Sequence, residues 1–525
     1  MNKGFLFLIL LISIFIYVLR SLHDLHMMQQ NSYRNERYLR WLKTNFLKPA
    51  KYAEFALILI FSFALTFNWI PLSIVFTIVL AISVSLSFFR KKYKKKLVFT
   101  KRAKRLFFTN LFLFLIISLT IAGFQNLNIS ISVVLWLFFF SSGVILSANF
   151  VLKPIEASIN RYFYKDAKKR LQSMPELLII GITGSYGKTS TKHFLHRILS
   201  EKYNVLMTPG SFNTSMGVIR TIREQLKPVH EIFIVEMGAK QIGDIREICE
   251  LVNPKIGILT AVAEQHLDTF KTIENVKHTK FELLNALPKN GTAILNADYK
   301  IIYDEKAKLN TKSIFYSTTR KNTDCFAENI VYTRRGMKFD LSFANKKITQ
   351  IETKLLGEYN ISNILAAVVV ALELNMPEEN IKYAIRKIES VKHRLEVKRK
   401  VGGVTIIDDA FNSNPIGAAM AVEVLGKIEG KKKIIITPGM IELGNKAQHY
   451  NEKFGEQIAK NCDIAILVGP KQTKPIQEAL KKAGFVEKNM YIARNLTEAN
   501  TYMRSIVEND DVVLYENDLP DIFNE

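Results

Sequence analysis

The stretch GITGSYGKTST, residues 181–191, constrains the fold of this chain more than any other. It follows the apolar run Leu177–Ile180, which is typical of a buried strand, and precedes an amphipathic segment that ends near Tyr203. Gly184 and Gly187 allow the backbone to approach an anion closely, and the amides of the loop and of the following helix N-terminus point towards it. A strand, a glycine turn and a helix in this order predict a phosphate-binding loop.

The loop also carries the groups that bind a nucleoside triphosphate. Lys188 adds a positive charge, and the Thr189 hydroxyl is suited to bind Mg²⁺. The predicted phosphate contacts are Gly184, Ser185, Tyr186, Gly187, Lys188, Thr189 and Ser190. The strict motif fails by one residue, because Ile182 stands where a glycine is usual and Gly181 supplies the extra glycine. A tight turn with a surface lysine is the alternative.

Positive charge is concentrated in the first third of the chain. Of the 72 Lys and Arg, residues 1–176 hold 24, and of the 48 Asp and Glu they hold 6, so +18 of the formal +24 lies there. The same third contains five apolar runs, at about 4–19, 53–70, 72–89, 106–124 and 129–150. Each approaches the roughly 20 residues that a helix needs to cross a bilayer. We therefore predict a transmembrane region with five spans over residues 1–152.

The basic residues of this region predict its orientation. Seven lie between the first two runs and ten lie from Arg90 to Arg105, whereas two other connections carry no charge. The positive-inside bias then places the N-terminus outside a bacterial-type cytoplasmic membrane and everything after Val151 in the cytoplasm. Buried core helices, or a cleaved signal peptide for the first run, are the alternatives. Because the stretch from Arg90 to Arg105 lies between two apolar runs, its expected partner is anionic lipid and not nucleic acid.

A basic connector, residues 153–174, leads into a part of the chain where strand-like runs alternate with helical patterns. The first such runs are 177–182, 231–237, 255–262 and 292–297, followed by a small antiparallel excursion over 311–356. A second series begins after Arg394, with runs near 403–409, 432–437, 464–469, 489–493 and 511–516. This alternation predicts two α/β domains with a cleft between them: a parallel-sheet ATP-binding domain over 175–392 and a Rossmann-like domain over 393–525.

Polar residues follow several predicted strands, where sheets of this kind place their sites. Glu236 ends the run Ile232–Val235 and is a candidate ligand for a magnesium ion held by Thr189. His266 comes just after another strand, although a lone histidine is more often structural. Lys280 lies in a helical pattern and passes for an ordinary lysine on this basis.

Ten motifs in one order resemble those of the Mur ligase family. They are GITGSYGKTST, FNTSMGV (212–218), VEMGAKQIGDI (235–245), EQHLDTF (264–270), TKFEL (279–283), ILNAD (294–298), GEYNISN (357–363), HRLE (393–396), IIDDAFNSNP (406–415) and GMIELG (439–444). The resemblance covers about residues 175–515. It is greatest to the branch that adds D-alanyl-D-alanine to the UDP-muramoyl peptide of peptidoglycan, chiefly through DDAFNSNP and through GMIELG followed by His449.

This resemblance implies ATP-dependent, ADP-forming amide synthesis on a cell-wall or envelope precursor. A substrate carboxylate would take the γ-phosphoryl group of ATP, and an amine would then attack the acyl phosphate and release phosphate. The family's pattern implies catalytic roles for Lys188, His266 and Lys280, with Lys280 carbamylated. It also implies two Mg²⁺ ions served by Thr189, Glu236 and His266.

The resemblance further implies which residues hold the nucleotide. Asn360 and Asn363 match adenine contacts, and Arg394 and Asp409 match the C-terminal domain's hold on ATP. Domain closure would therefore complete the site.

The chain also departs from the family's pattern. Tyr359 stands where a histidine is usual, and Ala261 replaces an expected asparagine. A membrane region occupies the place of the UDP-binding domain, which favours a lipid-linked acceptor over a UDP-linked one. Where the D-alanyl-D-alanine ligases have a Lys-Gly-Ser-type turn, this chain reads YENDLPD (515–521), so we expect a different or differently oriented amine, an amino acid or a dipeptide.

Two other functions stay open at this point. One is a polymer-forming ligase that resembles membrane-associated poly-γ-glutamate synthases. The other is a membrane protein whose nucleotide domain senses or transports without ligase activity.

Overall fold

The computed structural model divides into two compact units, Met1–Arg161 and Tyr162–Leu519. The residues that the structure describes are 3–46, 49–67, 69–90, 93, 96–122, 127–264, 267–306, 309, 311–333, 336–344, 346–399, 403–410, 413–441 and 443–517.

The first unit is helical. Its helices are α1 (Lys3–Gln30), α2 (Asn35–Phe46), α3 (Pro49–Thr66), α4 (Ile70–Arg90), α5 (Lys101–Ala122), α6 (Leu127–Phe139) and α7 (Ser141–Gln172). α7 continues past the end of this unit, so the predicted connector is helical as far as Gln172. One apolar cluster joins α1 to α6 through residues such as Ile16 and Phe138, and a second joins α1 to α7 through Met28 and Ile145.

Only some of the predicted spans are confirmed. Among the described residues, Gly4–Gln30 and Lys101–Ile121 are long and apolar enough to cross a membrane. The fifth predicted run is not one straight helix, because Asn128–Phe139 and Ser141–Gln172 meet at a bend of 74°, and they count as a third span only if taken together. Ser73–Leu86 is apolar but shorter. The structure thus supports two or three spans, and the predicted number of five is not confirmed.

A buried carboxylate links three helices of this unit. Asp24 of α1 accepts hydrogen bonds from the Tyr38 hydroxyl of α2 at 3.1 Å and from the Ser141 and Ser142 hydroxyls of α7 at 2.6 and 3.3 Å. A buried carboxylate is costly unless donors surround it. These three donors therefore fix where α2 and α7 lie against α1, and no pattern in the sequence predicted them.

Replacing Asp24 should weaken the first unit. In Asp24→Leu three buried hydroxyls lose their acceptor, and each buried group left without a partner costs about 1–3 kcal/mol. We expect a lower melting temperature in detergent, measured by intrinsic fluorescence. Ser147→Ala is the matched control, because the bond that this exposed hydroxyl makes within the described part of the chain goes to a carbonyl of its own helix. Equal melting temperatures for the two variants would contradict a structural role for Asp24.

The second unit begins with a nine-stranded sheet. Its strands are β1 (Leu178–Thr183), β2 (Val205–Met207), β3 (Ile232–Glu236), β4 (Ile256–Leu259), β5 (Thr292–Asn296), β6 (Lys312–Ser317), β7 (Cys325–Thr333), β8 (Gly336–Phe343) and β9 (Lys346–Thr353). They lie in the order β2-β3-β1-β4-β5-β6-β7-β8-β9. The helices are α8 (Lys188–Leu199), α9 (Ser215–Glu224), α10 (Asp244–Val252), α11 (Leu267–Phe270), α12 (Ile273–Asn285), α13 (Lys300–Tyr303), α14 (Glu358–Glu373) and α15 (Glu378–Arg386).

Alternation along β1 shows why both faces of this sheet are covered. Ile180 and Ile182 join an apolar cluster with α8 and α14, whereas Ile179 joins the opposite cluster with α9, α10 and α12. Successive strand side chains point to opposite faces, so a continuous apolar run requires helices on both. The last turns of α7 also cover the second face through Ala167.

The predicted central strands are confirmed, with two differences. The short strand β2 was not predicted, because three residues carry little periodicity. The antiparallel excursion is formed by β7, β8 and β9 only, since β6 pairs parallel with β5 and extends the main sheet.

The C-terminal domain is a second α/β fold, as predicted. Its strands are β10 (Glu396–Arg399), β11 (Thr405–Asp409), β12 (Lys433–Thr437), β13 (Ile464–Val468), β14 (Met490–Ala493) and β15 (Val512–Glu516). Its helices are α16 (Pro415–Lys427), α17 (Ala447–Asn461), α18 (Lys474–Lys482) and α19 (Leu496–Ile506). The strand order is β10-β11-β15-β12-β13-β14, with only β10 antiparallel to its neighbour. Helices cover both faces of this sheet. Because β11, β15 and β12 run parallel to one another, their carboxyl ends form one edge of it.

Candidate functional site

The glycine-rich loop joins β1 to α8 and folds against the end of β4. Gly184 has φ of 153°, and a Cβ there would lie 2.9 Å from the Ala261 amide nitrogen. Gly187, at φ 80°, begins α8, and a Cβ there would press on the Asn363 side chain at 2.5 Å. Glycine is therefore required at both positions, which confirms the tight loop that the sequence predicted.

Hydrogen bonds from the β4 end hold this loop in place. The Ser185 amide donates to the Ala261 carbonyl at 2.8 Å, and the Ser185 hydroxyl donates to the Ala263 carbonyl at 2.9 Å. The Thr260 hydroxyl donates to the Tyr186 carbonyl at 2.5 Å. These contacts hold the loop against the end of β4, and no pattern in the sequence indicated that Thr260 takes part.

Lys188 lies inside the loop. Its Nζ donates to the carbonyls of Gly184 at 2.6 Å and Ser185 at 3.2 Å. Burial lowers the pKa of Lys188 to about 8, Glu236 opposes this shift, and Arg394 adds to it. Among the described residues, the hydrogen bonds of this ammonium group go to neutral loop carbonyls, which phosphate oxygens could replace.

Thr189 and Glu236 meet, as predicted. The Thr189 hydroxyl donates to Oε1 of Glu236 at 3.1 Å, and the Asn213 amide donates to the same oxygen at 3.1 Å. Lys192 Nζ lies 2.9 Å from Oε2. Burial raises the pKa of Glu236, but Lys192 and Lys188 outweigh it and the net shift is downwards, so the carboxylate is ionised.

Lys192 and Asn213 were not predicted as site residues. Lys192 lies four residues after Lys188 on α8, which places both on one face of the helix. Only that spacing would have indicated Lys192 in the sequence. Asn213 belongs to the motif FNTSMGV, but its type alone did not suggest a role.

Lys280 of α12 is 2% exposed and makes no hydrogen bond or ion pair with any described residue. Burial holds its pKa well below the usual value, the nearby Lys188 adds to this, and Asp244 and Glu282 oppose it. Burial therefore favours the neutral, nucleophilic form of this amine more than is usual for a lysine.

The predicted adenine contacts lie at the start of α14. Asn360 donates to the Leu356 carbonyl at 2.9 Å within the turn before the helix. Asn363 accepts from the Thr191 hydroxyl at 3.1 Å and lies against Gly187, and its buried Nδ2 has no partner among the described residues. An unpaired buried donor beside the loop is suited to a ligand.

Arg394 and Asp409 are brought close to each other. Burial raises the pKa of Asp409 to about 6, and the Arg394 guanidinium and the Leu395 N–H at 3.0 Å oppose this. Burial also lowers the pKa of Arg394, with Asp409 and Glu236 acting against it. The guanidinium from the domain junction is thus close enough to Lys188 and Glu236 to act on their charges.

The backbone around Arg394 is strained. His393 and Leu395 both have positive φ, 59° and 43°, which costs about 1–3 kcal/mol for each residue that is not glycine. The contacts that hold this segment are His393 Nδ1 to Asp408 at 2.8 Å and the Leu395 amide to Asp409. The strain fixes the direction of the arginine between them.

His266 lies outside the described residues, but the residue two before it is well placed. Glu264 accepts a hydrogen bond from the Tyr450 hydroxyl at 2.5 Å and forms an ion pair with Lys446. Both partners belong to the C-terminal domain, whereas Glu264 follows β4 of the central domain. The loop that leads to His266 is therefore tied to the second domain.

Glu516 closes β15 and is 1% exposed. It accepts hydrogen bonds from the Thr437 hydroxyl at 2.7 Å and from the Ser413 hydroxyl. Burial raises its pKa to about 8, so it is mostly protonated at neutral pH. The expectation that YENDLPD offers no positive charge to a substrate carboxylate stays a prediction, and Glu516 itself adds little negative charge because burial disfavours its ionised form.

The two α/β domains, the phosphate loop and the polar groups around it define a nucleoside-triphosphate-binding enzyme. Comparison with family models gives its family: the Mur ligase middle domain matches residues 182–371, and the Mur ligase glutamate ligase domain matches residues 393–515. The chain belongs to the Mur ligase family, as its motifs predicted, and is an ATP-dependent, ADP-forming carboxylate–amine ligase.

Similar proteins agree with this family. The chain is 33% identical over 319 residues to the UDP-N-acetylmuramoyl-tripeptide--D-alanyl-D-alanine ligase of Buchnera aphidicola subsp. Baizongia pistaciae, covering 61% of this chain and 68% of the relative. It is 28% identical over 342 residues to the Escherichia coli ligase of the same name, covering 63% and 75%.

Solved structures share the fold. MurF from Acinetobacter baumannii superposes with a TM-score of 0.61 at 23% identity, over 68% of this chain and 77% of that one. MurF ligase from Thermotoga maritima in complex with ADP gives 0.60 at 24% identity, over 68% and 80%.

The pKa of Glu516 predicts a pH-dependent stability. Because the folded pKa of about 8 lies above the ordinary value of 4.5, the folded state holds the proton more tightly, and stability falls as pH rises between these two values. Glu516→Gln imitates the protonated form. We expect the melting temperature of this variant to equal that of the natural chain near the lower of these two pH values. Near the upper value, the variant should melt at a higher temperature than the natural chain. Parallel melting curves at all pH values would contradict a buried neutral carboxyl.

Proposed function

We propose that this enzyme joins an amino acid or dipeptide to the carboxylate of a peptidoglycan-type precursor at the cytoplasmic face of a bacterial-type membrane. The observation that carries this proposal is the convergence of Lys188, Thr189, Glu236 and Arg394 at one loop of a chain whose first unit exposes apolar side chains. The precursor is lipid-linked or UDP-linked.

Each nucleotide contact has a physical basis. The loop amides and Lys188 bind the phosphates and neutralise the charge that develops during phosphoryl transfer. Asn360 and Asn363 are the proposed adenine contacts, and the free Nδ2 of Asn363 supports this for the second. Arg394 and Asp409 hold the nucleotide from the C-terminal side, because their segment reaches the charges of the loop.

The residues present fit magnesium. Thr189 Oγ1 and Glu236 Oε1 are hard oxygen donors 3.1 Å apart, and such donors are the ligands that Mg²⁺ prefers. The bound metal would polarise the phosphoryl oxygens and offset their charge. His266 is the proposed further ligand, and two ions are proposed from the family's pattern.

We also propose that Lys280 is carbamylated. Its amine is buried, has no hydrogen-bond or ion-pair partner in the described chain, and has a pKa that burial holds well below the usual value. The unprotonated form of this amine can attack carbon dioxide and lose a proton, which leaves a carboxylate-like anion suited to support a metal. This change replaces an unpaired buried amine with a group that the nearby Lys188 would stabilise.

Lys280→Ala should therefore abolish ligation, and added bicarbonate should not restore it. Lys277→Ala is the matched control. Lys277 lies on the same helix as Lys280, but its ammonium group forms an ion pair of 2.5 Å with Glu305. In ¹³C-labelled bicarbonate, NMR of the natural chain should show a carbamate carbon that Lys280→Ala lacks. Ordinary ligation by Lys280→Ala would rule out the carbamate.

The outer surface of the first unit supports a membrane location. It exposes large apolar side chains on several helices, including Phe7 of α1, Phe63 of α3 and Phe108 of α5, the last 65% exposed. Apolar surface of this extent on a soluble protein would favour aggregation. Because α3 and α4 also expose such residues, we propose that they are embedded too, with the N-terminus outside and the catalytic domains cytoplasmic.

The acceptor and the amine can be identified together. Phosphate release by the full-length protein in detergent would be measured with ATP, magnesium and bicarbonate, across UDP-muramoyl peptides and lipid-linked precursors as acceptors. The amines would include amino acids and D-alanyl-D-alanine, since the relatives are named for that dipeptide. We expect release to require both partners and to vanish in Lys188→Ala. Release that is indifferent to every pair would contradict ligation of these substrates.

Truncation tests the need for the first unit. A chain that starts at Tyr162 keeps Phe163 and Ala167, which pack in the core of the central domain. We expect it to lose activity on lipid-linked acceptor. If it ligates a UDP-linked acceptor as well as the full-length protein does, the lipid-linked proposal fails, while the ligase assignment stands.

A further inference from the structure

Lys192 is the most completely buried charged side chain near the phosphate loop. It is 0% exposed, and its Nζ lies 2.9 Å from Oε2 of Glu236, which is itself 1% exposed. The same Nζ donates to the Gly210 carbonyl at 2.6 Å. One ammonium group therefore connects α8, the end of β3 and the loop after β2.

The contacts of Glu236 divide its two oxygens between different partners. Oε2 faces Lys192, whereas Oε1 accepts from Thr189 and Asn213, at 3.1 Å each. The Glu236 amide also donates to the Thr208 hydroxyl at 3.1 Å, which fixes the backbone. Oε1 is therefore the oxygen that contacts the phosphate loop through Thr189, and a metal bound beside Thr189 would meet this oxygen first.

The pairing also removes the net charge that would attract a cation. Glu236 is one negative charge, and Lys192 offsets it at ion-pair distance. Lys188 adds further positive charge on the loop side. Mg²⁺ gives up its water reluctantly and requires negative ligands, so an offset carboxylate is a poor site until phosphate oxygens are present.

We propose that Lys192 is a positioning residue that restricts Glu236 to one metal-facing oxygen and makes divalent-cation binding depend on the nucleotide. This inference rests on the proposed role of Glu236 as a magnesium ligand. Magnesium then enters with ATP and does not occupy the loop beforehand.

A purely structural role for Lys192 makes a different prediction. If the ammonium only compensates a buried carboxylate, its removal lowers stability and leaves nucleotide-free metal binding unchanged. If it also controls metal binding, its removal exposes an uncompensated carboxylate that attracts a divalent cation without nucleotide. Stability alone does not separate these roles, so metal binding must be measured directly.

The experiment uses the full-length protein in detergent and Mn²⁺ as the probe, with binding followed by electron paramagnetic resonance with and without ADP. The natural chain should bind Mn²⁺ only with ADP. Without ADP, the dissociation constant of Lys192→Met for Mn²⁺ should be at least about tenfold lower than that of the natural chain. This ratio corresponds to about 1.4 kcal/mol of binding free energy. The double variant Lys192→Met/Glu236→Gln should lose that binding.

Two further variants complete the design. Arg197→Met removes an ion pair of 2.5 Å between Arg197, which also lies on α8, and Glu201 just after this helix, and it should behave like the natural chain. Asn213→Asp adds negative charge beside Oε1 without altering Lys192, and it should also gain Mn²⁺ binding without ADP. It tests the charge balance even if Lys192→Met fails to fold.

The outcomes distinguish a failure of the inference about Lys192 from a failure of the proposed role of Glu236 as a metal ligand. Nucleotide-free binding that is unchanged in Lys192→Met, or in Asn213→Asp where Lys192→Met does not fold, overturns the inference, provided that Mn²⁺ still binds with ADP. A natural chain that binds no Mn²⁺ even with ADP overturns the proposed role of Glu236. Nucleotide-free binding that persists in the double variant shows that the ion lies elsewhere and also overturns the inference.

Discussion

The Glu236 carboxylate is the group on which the arrangement of this site depends. It ends β3, and the loop after β1, the helix α8 and the loop after β2 all reach it through Thr189, Lys192 and Asn213. A buried carboxylate is stable only where such donors surround it. The packing of these segments and the ionisation of Glu236 therefore require each other, and the fold supplies an anionic oxygen next to the place where phosphates bind.

Charged and polar side chains connect the two α/β domains near the phosphate loop. Arg394, at the domain junction, reaches the charges of the phosphate loop, while Lys446 and Tyr450 hold Glu264 close to the segment that leads to His266. Both contacts connect the C-terminal domain to the part of the central domain that carries the phosphate loop and the end of β4.

Much of this arrangement could be predicted from the sequence, since local patterns encode it. Continuous apolar runs predicted β1, β3, β4 and β5, and the glycine turn predicted the phosphate loop. The place of Glu236 at the end of a strand predicted that it lies near Thr189 of this loop. Lys192 could not be predicted, because nothing in the residue itself distinguishes a buried lysine from a surface one. Glu264 and Tyr450 are 186 residues apart, so only tertiary structure brings them together.

The first unit illustrates a different limit. Hydropathy identified its apolar runs but not the bend at Phe140 or the Asp24 hydrogen bonds, both of which depend on packing between helices. In the sequence, Asp24 only interrupts an apolar helix. In the structure, its hydrogen bonds join α1 to α2 and α7.

Glu516 changes the argument about the incoming amine. YENDLPD offers no positive charge to a substrate carboxylate, but Glu516, with a pKa of about 8, is mostly neutral at pH 7 and adds little repulsion. Its oxygens are already engaged by Thr437 and Ser413, so it organises the edge of the sheet instead of facing a charge. The remaining acidic residues of that motif, Asp518 and Asp521, lie outside the described residues. The charge of Glu516 therefore gives no reason to reject a carboxylate-bearing amine, and D-alanyl-D-alanine stays a physically reasonable substrate beside single amino acids.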